Sequence, residues 1–526
     1  MSMLLSGLVG CAKKDTVEDY NSDETVNLTI GVPQMVSVSD YEDNALTRYL
    51  EESLNVKLEF EFYSSNASEY TQQLTLLCSS GEELPDVLWG FTGMSRSTMN
   101  QFGEDGYFVD LTELLEKYGT NYNEKLASVS KDVRKIIVSR GTNVNNGAFY
   151  GMPTYTTSIV ADYMQNMMTI NKNWLNAVGM NAPKNVDELY NVLKAFQTKD
   201  PNGNGEADEI PMMSSNIWLY VINAFVYYDE LNPFNVTDGK VWNPVTTNEY
   251  RQALIYLNKL CSEGLLSDLS LTASSSDIKN LVSGSADTAK VGIWCGHPSL
   301  STTTVTEVLD EYTALAPLEG ATKLGGYGVQ YPNTLAYGGF ITKDCENQVA
   351  AIRLLDFFYN DETAIRLRHG EKDVDWEEGK GESVFGTESK IKVINSQAFF
   401  EGSSTWGITG TTFMTPENNL AISVSGEGRE AENSRIMIEH MEVMKKFNRP
   451  DELAVYLVYT DEEQDTKDEF EGTYNSYVKE ARSLFIAGTM DPNNDSDWNT
   501  YLETIEKCGG SKLLKVYQSS YKATYK

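Results

Sequence analysis

Residues 56–63 read VKLEFEFY, in which apolar residues at every second position alternate with charged ones. A period of two is typical of a strand with one buried face, so this stretch predicts a β-strand. Residues 26–31 (VNLTIG) alternate in the same way, and residues 43–53 between the two runs have a helical pattern. Farther along, residues 71–90 (TQQLTLLCSSGEELPDVLWG) predict a helix that stops near Gly81, followed by a buried strand. This β-α-β order indicates an α/β fold with a largely parallel sheet.

The composition is that of a globular and strongly acidic chain. The 526 residues include 41% hydrophobic residues and carry a formal net charge of −34. A chain of this length is enough for about two to four domains with a sizeable core. Because so negative a charge repels nucleic acid and anionic lipid surfaces, we expect no nucleic-acid partner. We expect a monomer that binds a neutral or cationic ligand.

The N-terminus has the pattern of a lipoprotein export signal. The chain reads Leu8-Val9-Gly10-Cys11 and then becomes polar and acidic until about residue 27. An apolar run closed by small residues and one cysteine resembles the lipobox of bacterial lipoproteins, in which that cysteine is lipidated. We therefore expect a signal segment at 1–11, acylation of Cys11 with a chain such as palmitate, and a flexible tether at 12–26. Since no basic residue precedes the apolar run, we expect translation to start farther upstream. The alternative is a frayed apolar N-terminus with an incidental cysteine.

A second informative segment is the loop at residues 199–211, KDPNGNGEADEIP. Calcium takes about six to eight oxygen ligands from a turn that a glycine allows to bend sharply, and Gly205 is placed for that bend. The predicted ligands are Asp200, Asn202, Asn204, the backbone carbonyl of Glu206, Asp208 and Glu209. The loop is not a regular EF-hand, because Pro211 stands where the bidentate glutamate belongs. We expect a structural calcium ion here. The alternative is a solvated Asn-Gly turn without metal.

Five segments of the chain occur in an order that belongs to one protein family. They are GEELPDVLW (81–89), AFYGMP (148–153), the run from Asn171 to Pro211, GGFITKDCENQVAAIRLLDFF (338–358) and FIAGTMDPNNDSDWNTYLETIEKCG (485–509). Together they resemble the extracellular solute-binding lipoproteins of bacterial ABC importers. Within that family they are most similar to the oligosaccharide-binding branch of alginate- and maltose-type binding proteins. The resemblance also implies that the loop at 199–211 is a structural calcium loop.

The resemblance implies a two-lobed periplasmic-binding-protein fold. Each lobe is expected to be a mostly parallel sheet flanked by helices, and hinge strands are expected to join the lobes around a ligand cleft. The implied boundaries place residues 27–157 and 336–405 in the first lobe. They place residues 158–335, with the calcium loop, in the second lobe, together with helices from 406–526.

A cleft for a neutral sugar needs aromatic faces beside polar groups that bond to hydroxyls. Several aromatic residues fall where strands are expected to reach the cleft. The candidate ligand-binding residues are Trp89, Tyr155, Trp218, Trp294, His297 and Trp406. Each aromatic residue among them can equally belong to a core, and Trp89 above all, because its strand is apolar throughout.

The function that these features indicate is binding rather than catalysis. We expect a lipid-anchored protein on the extracellular face of the bacterial membrane that captures an oligosaccharide and delivers it to ABC permease subunits. One alternative keeps the fold and changes the ligand to a peptide or another polar solute. Another is a glycoside hydrolase, which needs two carboxylates at a fixed separation. No HExxH, GxSxG, P-loop or GxGxxG motif accompanies the acidic residues, so we expect no enzyme.

Overall fold

Two large β-sheets, each with its own helices and hydrophobic core, organise the chain. The structure is a computed structural model that describes residues 24–156, 168–230, 232–272, 275–283, 289–295, 306–328, 334–383, 387–395, 398–399, 402–414, 422–423, 429–444, 447, 450 and 452–525. The two-lobed α/β fold expected from the sequence is confirmed.

The first lobe is built on a six-stranded sheet. Its strands are β1 (Val26–Pro33), β2 (Val56–Tyr63), β3 (Val87–Trp89), β4 (Met152–Thr156), β11 (Thr334–Ile341) and β14 (Phe413–Met414). In the order β14-β4-β11-β3-β1-β2, β1 is parallel to β2 and β3, and β14 is parallel to β4. Only β11 runs antiparallel to its neighbours. The alternating stretch at 56–63 therefore forms a strand at the edge of the sheet.

Helices cover both faces of this sheet. They are α1 (Ala45–Leu54), α2 (Ala67–Ser80), α3 (Arg96–Glu104), α4 (Thr112–Tyr118), α5 (Thr120–Ser128), α6 (Lys131–Gly141), α13 (Gln348–Phe357) and α14 (Asp361–His369). Local sequence sets their ends: Asn44 and Asn66 accept hydrogen bonds from the first amides of α1 and α2. Gly81 ends α2 with a left-handed φ of 73°, as the sequence predicted.

The second lobe is built on a four-stranded sheet in the order β10-β5-β9-β6. Its strands are β5 (Met168–Asn171), β6 (Ile210–Met212), β9 (Val291–Cys295) and β10 (Tyr312–Ala314). Here the strand directions differ from the expectation of a mostly parallel sheet, because only β6 and β9 are parallel. β5 pairs antiparallel with both β9 and β10. The reason is that β5 starts at the sheet edge where the chain arrives from the first lobe, and β9 ends at that same edge.

The helices of the second lobe come from two distant parts of the chain. They are α7 (Lys172–Val178), α8 (Val186–Thr198), α9 (Ile217–Phe225), α10 (Asn248–Ser262), α11 (Ser275–Ser283), α12 (Thr306–Asp310), α15 (Arg429–Met444), α16 (Asp461–Ala487), α17 (Asp495–Lys507) and α18 (Gly510–Tyr525). Short 3-10 helices lie at Pro244–Thr246 and Asp268–Leu271. Asn185 caps α8 by accepting from the amide of Glu188 at 2.9 Å.

Two small sheets complete the described structure. The hairpin consists of β7 (Asn235–Thr237) and β8 (Lys240–Trp242), and the other sheet of β12 (Trp376–Glu378), β13 (Ile391–Val393) and β15 (Ile422–Ser423). The chain stays in the first lobe longer than the implied boundary at residue 405, because β14 still pairs with β4. Since β15 pairs with β13, the chain enters the second lobe only after Ser423.

Side chains of the first lobe also bond directly to the second lobe. Arg140 at the end of α6 donates from Nη1 to the carbonyl of Leu457 at 3.0 Å. Lys135 on the same helix donates to the carbonyl of Thr524 at 3.3 Å. Leu457 belongs to the core of the second lobe, so these contacts join the lobes away from the strands that connect them.

The predicted lipidation site lies outside the part of the chain that the structure describes. Cys11, the signal segment at 1–11 and the tether as far as residue 23 belong to this undescribed part. No helix within the described ranges combines the length and the apolar character that a membrane span requires.

Candidate ligand-binding site

The chain passes between the two large sheets at one edge of each sheet. In the first lobe this edge carries the ends of β4 at Thr156 and β14 at Met414, the start of β11 at Thr334, and the carboxyl ends of β1, β2 and β3. In the second lobe the corresponding edge carries Met168 at the start of β5 and Cys295 at the end of β9. Ligands of α/β folds bind at the carboxyl ends of strands where the chain order changes. These two edges are therefore the first place to look for a ligand site.

Covalent geometry limits how far apart the two edges are. Six residue steps separate Gly328, the last described residue before the chain returns to the first lobe, from Thr334 in β11. A fully extended chain of that length spans about 21 Å at most. At this crossing the two edges therefore lie no more than about 21 Å apart.

A pocket opens at this edge of the second lobe. It is lined by Met168, Asn216, Tyr220, Asn223, Cys295, Leu315, Pro317, Tyr327, His440 and Met444. Helix α9 supplies one wall, because Asn216 before it and Tyr220 and Asn223 within it recur at a spacing that places side chains on one helical face. The wall is mostly apolar, with a few polar groups at defined positions, and the space that it encloses is only about 20 Å³.

Two of the polar groups on α9 are used to hold the fold. Asn223 is 1% exposed, and its amide donates to the carbonyls of Leu219 and Tyr228 at 2.9 Å each. The hydroxyl of Tyr220 donates to the carbonyl of Ala316 at 2.9 Å. These bonds fix α9 against the segment that leads towards Tyr327, so they shape the pocket rather than contact a ligand.

Asn216 and Tyr327 are the lining residues best placed to contact a ligand. Asn216 has a left-handed φ of 65°, which asparagine tolerates better than most residues, and its side chain makes no capping bond to α9. The ring of Tyr327 stands edge-on to Tyr227, with 5.7 Å between centroids. Both residues are half-buried. One amide and one aromatic ring thus remain accessible at the pocket wall.

Helix α15 forms another part of the pocket wall, to which it contributes His440 and Met444. Glu439 anchors this helix to β10 by accepting from the hydroxyl of Thr313 at 2.7 Å. Arg435 adds an ion pair with Glu439 at 2.7 Å. His440 is 3% exposed, so its imidazole has a fixed position behind the pocket surface.

The structure places the aromatic candidates of the first lobe inside its core. Trp89 and Trp406 are both 0% exposed, and their rings stand edge-on with centroids 5.0 Å apart. The indole of Trp406 donates to the hydroxyl of Thr47 at 2.9 Å. Tyr155 is 2% exposed and packs on Phe413 at 5.0 Å. These three rings have no face open to a ligand in this structure, which corrects the expectation that they line a cleft. The cause for Trp89 is that β3 is an inner strand of the sheet.

The second-lobe candidates are also displaced from the pocket. Trp294 is 0% exposed and packs edge-on against Tyr312 at 5.7 Å, although the next residue, Cys295, does line the pocket. Trp218 lies on the side of α9 away from the pocket, where it packs under the guanidinium of Arg482 at 4.5 Å. His297 lies outside the described residues. The sequence did not point to Tyr327 and His440 as pocket residues, because neither lies in a motif or a periodic stretch that indicates a binding site.

Side chains and backbone amides of the predicted calcium loop form hydrogen bonds with one another. The Asp200 carboxylate accepts from the amide of Gly205 at 3.1 Å, which closes the turn. The amides of Asn202 and Asn204 donate to Oδ1 of Asp208 at 3.1 and 3.0 Å. Lys290 pairs with the other oxygen of Asp208 at 2.8 Å. Because of Lys290 and the two amides, the pKa of Asp208 is lowered to about 2.

The environment of the Glu209 carboxylate bears on whether this loop can hold a cation. Its Oε1 is buried and has no hydrogen-bond partner. Burial raises the pKa of Glu209 above its ordinary value, and the charges of Asp200 and Asp208 raise it further. In the described ranges no three His, Cys, Asp or Glu side chains converge on one point as metal ligands do. The oxygen-rich donor set and the buried, unbonded carboxylate oxygen nevertheless fit a hard cation, which would relieve the repulsion among the three carboxylates.

Comparisons with known proteins give a consistent picture. The family model described as bacterial extracellular solute-binding protein matches residues 33–365. Lipoprotein LipO of Bacillus subtilis is 25% identical over 98% of this chain and 96% of its own length. The fructooligosaccharide ABC transporter substrate-binding protein FusA of Streptococcus pneumoniae is 23% identical over 92% of this chain and 88% of its own length.

Solved structures share the fold. The complex of FusA with kestose superposes with a TM-score of 0.73 at 20% identity, covering 95% of this chain and 99% of FusA. A FusA EF-hand mutant bound to fructo-nystose has also been solved, with a TM-score of 0.70 at 20% identity, over 95% of this chain and 99% of that one. An extracellular solute-binding protein from Bifidobacterium longum subsp. infantis has a TM-score of 0.75 at 20% identity, over 97% of this chain and all of the other.

Proposed function

The chain belongs to the bacterial extracellular solute-binding proteins, and on that premise we propose that it captures an oligosaccharide between its two lobes and delivers it to an ABC importer. One observation carries this proposal. The pocket with Asn216 and Tyr327 opens at the sheet edge where the chain passes between the lobes. The names of the relatives LipO and FusA, one a lipoprotein and the other a fructooligosaccharide-binding protein, support the same reading.

A neutral oligosaccharide is the ligand class that the charges favour. The net charge of −34 opposes a polyanionic sugar. The clustered basic residues at 366–372 offer little compensation at Arg366. Its guanidinium pairs with Glu362 at 2.9 Å and lies over the ring of Tyr49 at 4.2 Å. Arg366 is therefore already neutralised within the fold.

Ligand capture follows from the arrangement of the two lobes. Half-buried polar and aromatic groups in the pocket bond to sugar hydroxyls and cover the apolar ring face. A sugar that contacts both edges is bound more tightly when the lobes approach each other, so it shifts the population towards a closed arrangement. The contact of Arg140 with Leu457 joins the lobes outside the connecting strands and contributes to this equilibrium.

The loop at 199–211 is proposed to hold a structural calcium ion. The groups that would hold it are the carboxylates of Asp200, Asp208 and Glu209, the amide oxygens of Asn202 and Asn204, and the carbonyl of Glu206. When bound, the ion supplies positive charge that neutralises the carboxylates. The buried oxygen of Glu209 supports this proposal, and so does the existence of an EF-hand in the relative FusA.

The location of the protein is a further part of the proposal. Acylation of Cys11 would anchor the chain to the outer face of the cell membrane and hold it near the permease subunits. The lipoprotein character of LipO, which matches nearly the whole chain, supports this. Mass spectrometry of the protein isolated from membranes tests it, since an unmodified Cys11 would exclude the anchor.

Thermal unfolding in calcium-containing buffer, with a panel of neutral oligosaccharides, charged oligosaccharides and short peptides, tests the function. A ligand that binds only the folded state adds about 2.7 kcal/mol of stability at a hundredfold excess over Kd, which is seen readily as a rise in Tm. We expect a rise with a neutral oligosaccharide and no product after prolonged incubation. A rise with peptides alone would overturn the ligand class, and sugar cleavage would overturn the binding role.

A further inference from the structure

We propose that Phe62 forms a second sugar subsite on the first lobe, so that the ligand is an oligosaccharide long enough to reach it from the pocket in the second lobe. This inference rests on the proposed function and extends it to the length of the ligand. Phe62 is 46% exposed although it is a large aromatic residue. Most aromatic residues of this lobe, such as Phe91 at 0%, are buried in its core.

The position of Phe62 in the sheet links it to the ligand site. It lies near the carboxyl end of β2, where its backbone pairs with Val32 of β1. Gln34, which is exposed, follows β1 directly, and its backbone N–H donates a hydrogen bond to the carbonyl of Tyr63 at 2.8 Å. This is the edge from which β4 and β14 leave the first lobe, so Phe62 stands on the side of the sheet where the lobes meet.

Neighbouring rings hold Phe62 in place while leaving much of it open. Phe60 lies parallel to it, with an interplanar angle of 7° and 6.2 Å between centroids. Tyr41 meets it edge-on at 5.0 Å. Tyr41 also accepts a hydrogen bond from the amide of Met35, which ties the loop carrying the fully exposed Val36 to the same cluster. A ring fixed in this way loses little freedom when a ligand stacks on it.

A sugar ring is the occupant that this surface fits best. One face of a pyranose or furanose presents C–H groups that pack on an aromatic ring, while its hydroxyls face outwards. Gln34, which is exposed at the end of β1 and bonds to the residue after Phe62, provides a hydrogen-bonding side chain beside the ring. The acidic character of the protein disfavours an anionic lipid or nucleic acid at the same place.

The distance across the sheet sets a minimum length for a ligand that contacts both the pocket and Phe62. Two strands, β3 and β1, separate β11 from β2, and three strand spacings of about 4.8 Å amount to about 14 Å. A single sugar unit near the connecting strands therefore leaves Phe62 uncovered. Only a ligand of several units spans both the pocket and Phe62, so the affinity should rise with chain length.

Calorimetric titration of the full chain tests this inference. Fructooligosaccharides and malto-oligosaccharides from disaccharide to hexasaccharide are titrated into wild-type protein, Phe62→Ala, Phe62→Trp and the control Leu76→Ala. Leu76 is 69% exposed on α2, so its substitution removes a comparable exposed apolar side chain. Melting curves with no sugar present establish that each variant is folded.

We expect Phe62→Ala to weaken binding of the longer sugars about threefold to tenfold and to leave the disaccharide unchanged, since one aromatic contact is worth about 0.5–1.5 kcal/mol. Phe62→Trp should retain the affinity, and Leu76→Ala should match wild type at every length. Equal affinities of Phe62→Ala and wild type for every sugar would overturn the subsite while leaving the proposed function intact. If wild type binds none of the sugars, the proposed function fails and the subsite fails with it.

Discussion

Replacing Trp406 by phenylalanine distinguishes a core residue from a ligand-binding residue. Trp406 is fully buried, and its indole donates to the hydroxyl of Thr47 at 2.9 Å. Loss of this bond costs about 1 kcal/mol, because Thr47 still donates to the carbonyl of Tyr41 and stays partly satisfied. The space left by the missing part of the indole adds about 1–2 kcal/mol. We therefore expect Trp406→Phe to lower the free energy of unfolding of the first lobe by about 2–3 kcal/mol. Trp406→Ala should lower it by about 3–5 kcal/mol.

Two measurements on the same variant decide between the roles. Urea denaturation followed by circular dichroism and fluorescence gives the loss of stability, and calorimetric titration gives the sugar affinity. If Trp406 is a core residue, Trp406→Phe unfolds at lower urea and binds sugar with unchanged affinity below that transition. The reasoning is refuted if the variant is as stable as wild type and has lost sugar binding.

Three further predictions follow from charged groups. Glu209→Gln should raise Tm in a calcium chelator, because it removes a half-buried charge that desolvation disfavours, as the raised pKa of Glu209 indicates. It should also reduce the rise in Tm that calcium produces; a variant with wild-type Tm under both conditions contradicts the calcium loop. The pKa of Asp208 is lowered to about 2. Its ion pair with Lys290 therefore stabilises the fold fully above the ordinary aspartate pKa of about 4, and this stabilisation is lost as the pH falls towards 2. The Tm difference between wild type and Lys290→Gln, measured in chelator, should shrink across that interval, whereas a difference constant with pH argues against the ion pair. Arg140→Met removes the hydrogen bond to Leu457 that joins the lobes. Small-angle X-ray scattering should give this variant a larger radius of gyration than wild type without sugar and the same radius with sugar. Identical radii of the two proteins without sugar exclude this role of Arg140.

Local features of the fold were predictable from the sequence. The strand at 56–63, the cap at Asn185 and the end of α2 at Gly81 each depend on residues a few positions apart. The strand directions of the second sheet were less accessible. They depend on which edge of that sheet receives the chain from the first lobe, and no local pattern encodes that edge.

The site was predicted less well than the fold, for a physical reason. Trp89, Trp294 and Trp406 have the residue type that a sugar site needs, but a buried strand or a core contact uses the same residue type. Whether a tryptophan is exposed depends on strand order and on packing from distant segments. The pocket itself combines Asn216, Tyr327 and His440, which only the tertiary fold brings together. Phe62 shows the opposite case of an aromatic residue that is exposed. The alternating pattern of residues 56–63 predicted a strand, but not that this strand lies at the edge of the sheet.

The most direct test of the account is calorimetric titration of a neutral oligosaccharide, chosen by the thermal screen, into wild type and Asn216→Ala, with chromatography of the sugar afterwards. Asn216 lines the pocket and makes no capping bond to its helix, but alanine is less favourable at its left-handed φ of 65°, so Asn216→Ala should lower stability by about 1 kcal/mol and still be folded during the titration. We predict one saturable site in wild type, about tenfold weaker binding in Asn216→Ala, and intact sugar after the titration. Equal affinities in the two proteins would contradict the location of the site, and absence of binding by any oligosaccharide would contradict the proposed function.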